Sequence, residues 1–576
     1  MITINNSRQT YQRIVFLIIG NLVGIVALLP AQNAQIFNTR DSLISRAWLG
    51  KIAIGENIPT TIQSLSAQEL SYYGVHTEPK KKIKDQIDET EIFFAPLLLI
   101  SPQVMGWNGL GTARWEGDKS ARTTESSYLS RFHEFDPVFA LGIEFGSPHF
   151  FATSSIDFGM AAWSKNAPEN GITGFWDPLK FLTWWNFPDE AYFSWVGSNT
   201  NLIAGRLPTG IGLGMSNIML NGNARWYDQV QFSWWSNQFK FFGFWATSAT
   251  HLDDIENEVQ QWQGMGEKIG WDAVSNHDYA TRNVTPAKLF TYHRVEFKPF
   301  QRIGFGLTEM QLLGGKTPDL LNLLPAGGWH NTFTAGVSNV MMQIDAWGVP
   351  INGLLLRGEF VTDDTKAPAE KGTAAKPNSW AWELGATWVL PFTGTKWTHA
   401  IDAEYSHVDT WTYNRWQPWL IMYQRQMFTG GHGGIDIPLG HSEGGDVDQG
   451  KLYYTAISSN GGRIKAGYTY TNKGPVYLGR IEKANPMPPS NSTDPSYIPV
   501  YYDFDDYQSL TGKTLESLLG TTRKHKHEFS VSGSWPLNAQ WEVYASINLH
   551  LIYNAEHVRG KMATETVWKT GFTWKL

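Results

Sequence analysis

Residues 430–450 read GGHGGIDIPLGHSEGGDVDQG, and His432, Asp436, His441, Glu443, Asp446 and Asp448 are of the types that bind metal. Loops rich in glycine and acids do take calcium. The spacing here fits neither an EF-hand loop nor a zinc-binding helix, so the stretch reads as a structural turn or a sugar-contacting loop. GIGLG, Gly210 to Gly214, has the look of a phosphate loop. It lacks the Lys-Ser/Thr pair and no crossover helix follows, so it reads as a tight turn between strands. Ser, His and Asp abound without a Gly-x-Ser-x-Gly elbow. The chain is therefore read as a non-enzyme with no metal and no cofactor. What remains is a row of charges at every second position. Arg294 and Glu296 alternate with Val295 and Phe297; Arg357 and Glu359 oppose Leu354, Leu356 and Phe360; Asp402 and Glu404 oppose Ile401, Ala403 and Tyr405.

Period-two alternation is the mark of a strand, whose successive side chains leave opposite faces. The same pattern runs through PVFALGIEFG, EAYFSWVG, SWAWELGATWVL, GRIKAGYTYT and WEVYASINLHLIY, with no long helical pattern between them, so the connections are antiparallel hairpins. Aromatics make up 14% and charged residues only 17% of the 576 residues, against about 25% charged in a soluble domain. Mean hydropathy is nonetheless −0.29, too low for a bundle of membrane helices. A barrel that is apolar outside and polar inside has this profile. A soluble core would not accept so many Arg, Glu, Lys and Asp, whereas a large lumen hydrates them, so the apolar face is assigned to lipid. An open sheet edge in hydrocarbon would leave backbone groups unbonded, so the sheet must close. The expected fold is all-β: a transmembrane antiparallel barrel of about 18 strands, with a small N-terminal helical or irregular periplasmic element. On this reading Arg294, Glu296, Arg357, Glu359, Asp402 and Glu404 form a lumenal polar network.

The N-terminus supplies an address. Arg8 and Arg13 precede an apolar run, Ile14 to Leu29, followed by the small residues of PAQNA, the layout of a secretory signal cleaved after Ala31 or Ala34. Residues 1–34 are read as signal peptide, 35–91 as the periplasmic element and 92–576 as the barrel. In the second region Asp41 or Ser42 could cap one short helix and Ser64 or Ser66 another, with Gly74 as a stop. The absence of cysteine leaves stability to strand pairing and packing. A net charge of −7 gives no reason to expect a nucleic-acid partner. Long insertions, Asp253 to Asn283, Asp363 to Ser379 and Ala484 to Thr522, must lie outside the cell or fold into the lumen. Outer-membrane lipid and, during insertion, the barrel-assembly machinery are the expected partners, although the last residue is Leu576 where such barrels usually end on an aromatic.

One region is not explained by alternation: GRLPTGIGLGMSNIMLNGNARWYDQVQFSWW, Gly205 to Trp235. It resembles the Wzi family of capsule-assembly outer-membrane proteins in its Gly-Arg, its glycine turn and its Asn-Ala-x-x-x-Asp element, at Gly205, Arg206, Gly212, Gly214, Asn223, Ala224 and Asp228. HRVEFKPFQRIGFGLTEMQLLGG, NVMMQIDAWGVPINGLLLRGEFVTDDT and IPLGHSEGGD look similar to further stretches of that family in the same order. Two features depart from it: its Trp-Gly-x-Gly is Ile211-Gly212-Leu213-Gly214 here, and the N-terminal segment is not clearly its helical bundle. The resemblance implies a non-catalytic outer-membrane lectin that holds capsular polysaccharide. Arg206, Asn223, Trp226, Asp228, His441 and Asp446 are then the candidate contacts, being hydrogen-bonding or stacking types at glycine-flexed turns. The plainer account of Arg206 and Asp228 is that they pair to pin a turn. The rival function is a porin or uptake channel for small or apolar solutes. Inward-folded loops and bulky lumenal side chains favour the lectin, and a continuous water path favours the channel.

Overall fold

The computed structural model describes residues 33–75, 93–108, 137–147, 149–160, 170–174, 181–182, 188–248, 288–314, 320–323, 338–364, 379–391, 396–414, 420–427, 434–474, 476–477, 480–481 and 522–575. The signal-peptide reading and most of the three long insertions lie outside them. The chain forms a closed antiparallel barrel of eighteen wall strands. In order they are β1 (Phe93–Ile100, resuming as Gln103–Asn108), β2 (Phe139–Gly146), β3 (Phe150–Met160), β4 (Glu190–Val196), β5 (Thr200–Leu207) and β6 (Tyr227–Trp235). Next come β7 (Phe239–Ser248), β8 (Lys288–Phe300), β9 (Ile303–Gly314), β10 (Ser338–Ile351), β11 (Leu354–Asp364) and β12 (Ser379–Val389). The circuit ends with β13 (Trp397–Val408), β14 (Val447–Ser458), β15 (Arg463–Lys473), β16 (Lys524–Pro536), β17 (Trp541–Tyr553) and β18 (Met562–Lys575). Closure runs through β18 and β1, with Trp574 opposite Ile100 and Thr566 opposite Asn108.

Turns at one rim are mostly short, as at 197–199, 236–238, 301–302 and 352–353, while most connections at the other rim are longer. Outer-membrane barrels keep short turns on the periplasmic side, which orients the molecule. Asn352-Gly353 makes one of these turns, where Gly353 takes φ +87°, a backbone that L side chains resist. The two faces of the wall follow the alternation in the sequence. Val295, Phe297, Leu356, Phe360, Leu384, Trp388 and Tyr405 are exposed on the outside, whereas Arg294, Glu296, Arg357, Glu359 and Glu404 are buried on the inside.

The lumen, however, is not simply water. Residues 33–75 sit inside the periplasmic mouth, where helix α1 (Ser42–Ala53) is capped by Asp41, whose carboxylate accepts from Leu43 N at 2.9 Å. Helix α2 (Ala67–Tyr72) is capped by Ser66, which accepts from Glu69 N at 3.2 Å. From the far rim the connection between β5 and β6 dives inward, and so does the one between β13 and β14. Their backbones meet in a ladder across the lumen: Gly212 N donates to Thr61 O at 2.9 Å, Ile211 N to Leu220 O at 2.9 Å, Asn221 N to Leu439 O at 2.7 Å, and Leu439 N to Met422 O at 3.1 Å. Backbone groups taken out of water must be bonded, and this ladder is how the inserted segments achieve it. Around it packs an apolar core in which Ile58, Ile62, Ile211 and Leu220 meet the inward Phe244, Tyr292, Met310 and Trp347. Trp347 Nε1 also donates to Ile58 O at 2.8 Å. The expected hydrated network is, on the β5–β14 arc, a packed and buried interior, because alternation reports which face points inward and not what fills it.

Depth across the wall sets the cost of a charge on its outer face. Leu384, at the middle of β12 and 59% exposed, should cost roughly 2–4 kcal/mol when replaced by Arg, because the charge meets mid-membrane hydrocarbon. Leu356 lies near the short turn, so Leu356→Arg should cost only about 0–1 kcal/mol. Unfolding from lipid vesicles in a denaturant series would compare them; equal costs would mean that the outer face is not lipid-facing.

Candidate functional site

The glycine stretch is not a turn at the rim but the tip of the inserted β5–β6 connection. Gly212 has φ +121°, and a Cβ on Gly214 would collide with Glu383 Oε1, so the backbone passes where no side chain fits. This close approach aims three consecutive amides at the wall. Met215 N donates to Glu404 Oε2 at 2.5 Å, Ser216 N to Glu404 Oε1 at 2.9 Å and Asn217 N to Glu383 Oε2 at 3.0 Å. Ser216 Oγ adds a bond to Glu404 at 2.7 Å, and Arg357 reaches Glu404 at 3.0 Å and Thr387 at 3.0 Å. Lys451 Nζ closes the group on Ser216 Oγ at 2.8 Å.

A second cluster ties the N-terminal segment to β8. Thr61 donates to Glu296 Oε1 through its N–H at 3.0 Å and its hydroxyl at 2.8 Å. Arg294 lies against the same oxygen at 3.0 Å and forks onto Asp345 at 2.7 and 2.8 Å. Below it Lys240 and Glu69 pair at 2.5 Å with both side chains fully buried. Glu359 accepts from Gln343 at 3.0 Å and Asp402 from Thr387 at 2.5 Å. Of the six lumenal residues read from the sequence, Arg294, Arg357, Glu359, Asp402 and Glu404 bond to side chains on other strands, while Glu296 bonds to Arg294 on its own strand and to Thr61 of the N-terminal segment. Sequence reasoning put Glu383 on the polar face of its strand but missed Lys240, Asp345 and Lys451 on the same inner face, which the alternation contains. It could not name the partners on inserted backbone.

The six polysaccharide candidates fall in two places. Arg206 and Asp228 are register partners on the outer face of β5 and β6, where the guanidinium donates two hydrogen bonds to the carboxylate at 2.6 and 2.7 Å. Arg206 also donates to Pro188 O at 2.9 Å and covers the Trp226 ring at 5.1 Å. Trp226 is buried, while Asn223 and Asp228 are exposed. His441 and Asp446 lie on the inserted β13–β14 connection. His441 is buried against Ser406, 3.0 Å from its Nε2, and its Nδ1 accepts from Glu443 N at 3.2 Å. Asp446 takes φ +57° and accepts from Arg523 at 2.9 Å. Burial, then the nearby Lys451, hold the His441 pKa down at about 3. Glu443 is held down at about 2: burial opposes ionisation, but Lys526 at 2.6 Å and Lys524 overcome it. Among the described residues no three His, Asp or Glu side chains gather as a metal site.

No protein-family model matches the chain, and no curated protein matches it. Among solved structures it is similar to Wzi of Escherichia coli, an outer-membrane protein involved in group 1 capsule assembly and described as a carbohydrate-binding β-barrel, at 12% identity and a TM-score of 0.47, covering 93% of this chain and 99% of that one. It is also similar to OccD3 of Pseudomonas aeruginosa, at 10% identity and a TM-score of 0.38 over 91% and 100% of the two chains. The outer-membrane protein OprD of the same organism follows, at 10% identity and 0.38 over 84% and 94%. At these identities and scores the likenesses do not separate a carbohydrate-binding barrel from a porin.

Glu404→Leu deprives two amides, a hydroxyl and Arg357 of their acceptor and should cost about 3–5 kcal/mol, the price of a broken buried pair. Arg206→Ala, at a rim pair with Asp228 half exposed, should cost about 1 kcal/mol or less. The temperature at which the barrel loses its folded migration in detergent gels measures both. A neutral Glu404→Leu would mean that the amides do not depend on this carboxylate. For pH, His441 is depressed from 6.5 to about 3, so the unfolded chain binds a proton there before the folded one does. Its contribution is complete above pH 6.5 and shrinks as pH falls, by about 2 kcal/mol down to pH 4.5, above the range where Glu443 begins to contribute. His441→Gln should flatten that slope, and an unchanged slope would exclude His441 as its source.

Proposed function

We propose that this protein is an outer-membrane barrel that holds a surface polysaccharide without changing it and passes no solute through its lumen. The observation that supports this most is the filled interior. Three inserted segments share a backbone ladder across the β5–β14 arc, and buried Glu296, Glu383 and Glu404 are bonded to inserted backbone rather than left to line a water path. A pore needs a hydrated track of weak sites, and the described residues of this arc are buried instead. The sequence resemblance to capsule-assembly barrels points the same way. Of the candidate contacts, Asn223 and Asp228 are exposed and can touch a sugar; Arg206 and Trp226 would hold Asp228 in place, and His441 and Asp446, both buried, would hold the loop that carries them.

One observation favours the channel reading. On the inner face of β16 and β17, Ser530, Ser532, Ser534, Ser546 and Asn548 are half exposed, so the described residues do not pack that arc as they pack the other. Deleting the gene and measuring cell-attached against released polysaccharide, beside the conductance of the purified protein in planar bilayers, separates the two. The anchor predicts intact polysaccharide released into the medium and no steady conductance, with Asn223→Ala or Asp228→Ala reproducing part of the release in a folded barrel. Unchanged retention with a large steady conductance would overturn it in favour of a porin.

A further inference from the structure

The outer wall changes character at the long-loop ends of β13–β17. One row across these strands is apolar: Ala403, Leu452, Tyr468, Phe529 and Leu549. The next row toward the rim carries Tyr405, Tyr470 and His527, and the one beyond it His407, Asp448, Asn472, His525 and Tyr553. These side chains form a mosaic of rings with polar edges. Tyr470 lies parallel to His525 at 6.2 Å and beside His527 at 5.1 Å, and Tyr553 meets His527 at 5.7 Å. The Tyr470 and Tyr468 hydroxyls hold Nδ1 of His525 and His527 at 2.8 Å each. Nε2 of both imidazoles then remains as the ring's second polar atom, with no partner among the described residues. Beside the rings, Asp448 is gathered by His407 at 2.7 Å and Tyr405 at 3.2 Å, and Arg523 donates to Asn472 at 2.9 Å.

Aromatic faces bordered by carboxylate, amide, imidazole and guanidinium groups are the chemistry of sugar recognition, with rings for the C–H faces and polar atoms for the hydroxyls. The mosaic faces sideways, along the membrane, and continues directly from apolar rows. An occupant must therefore present sugars at one end and hydrocarbon at the other. We propose that this surface docks the sugar headgroup of a glycolipid in the outer leaflet, its first sugar against Tyr470, His525, His527 and Tyr553 and its acyl chains along the row of Leu452, Phe529 and Leu549. The four rings and the apolar row of the dock lie on the outer face and not in the lumen, although Arg523 beside them also bonds Asp446 on the inserted connection.

The test uses the whole protein in lipid nanodiscs of phosphatidylethanolamine and phosphatidylglycerol doped with rough-type lipopolysaccharide, and counts retained lipids by native mass spectrometry. The dock predicts lipopolysaccharide enriched over phosphatidylglycerol. Tyr470→Leu combined with His527→Leu should cut that enrichment about tenfold, equivalent to about 1.4 kcal/mol. Tyr454→Leu, on the outer face near the other end of β14, should leave it unchanged. If the double variant does not migrate as a folded barrel, His525→Leu alone gives the same comparison. Enrichment equal in the Tyr470/His527 and Tyr454 variants, or absent in the wild type, would overturn the proposal. Equally tight binding of the de-acylated oligosaccharide would overturn its assignment to a lipid, because the acyl chains would then contribute nothing.

Discussion

A buried carboxylate must be given hydrogen-bond donors, and in this barrel the donors are largely backbone amides of segments that enter the lumen. Glu404 takes two amides and a hydroxyl from the β5–β6 connection, Glu383 takes a third amide, and Glu296 takes the amide and hydroxyl of Thr61. Removing either side of such a bond strands the other in a buried interior, so the wall and its filling specify each other. The glycines follow from this. A side chain at Gly214 would occupy the place of the Glu383 carboxylate, and the loop could not reach the wall.

The wall itself rests on closure. With every strand paired on both sides and the last strand returned to the first, no edge meets hydrocarbon, and the outer apolar face can be left to lipid. The inner face is then free to be polar or apolar as its local contents require. β7 illustrates this: Phe242 and Phe244 turn inward onto the inserted core, while Lys240 on the same face turns toward Glu69.

Much of the wall was legible in the sequence because a strand with two unlike faces advertises its period. Val295 against Arg294, and Leu356 against Arg357, were placed on the correct sides by alternation alone. The two helices were foreshadowed by their caps, Asp41 and Ser66. The filling was harder to see. Ile62 against Ile211 is a contact between segments far apart in sequence, and nothing local in IGLGMSN says that its amides face Glu404 rather than water. A signal was present nonetheless: apart from Lys240, FKFFGFWA is apolar on both faces, which a strand between lipid and water would not be. Among the ligand candidates, Asp446 and His441 were chosen by type, and type does not reveal that His441 is sealed behind Ser406 and Tyr413.

A plugged lumen requires the β5–β6 connection to lie against the inner wall. The chain has no cysteine, which makes a direct trap available. Ser216 Oγ lies 3.5 Å from Ser406 Oγ, so Ser216→Cys together with Ser406→Cys puts two thiols within reach of a disulfide. On mild oxidation of the folded barrel both thiols should become unreactive to maleimide and return after reduction, with each single variant keeping its thiol reduced. If the folded double variant leaves both thiols open to maleimide after oxidation, the connection does not occupy the lumen and the plugged barrel is wrong.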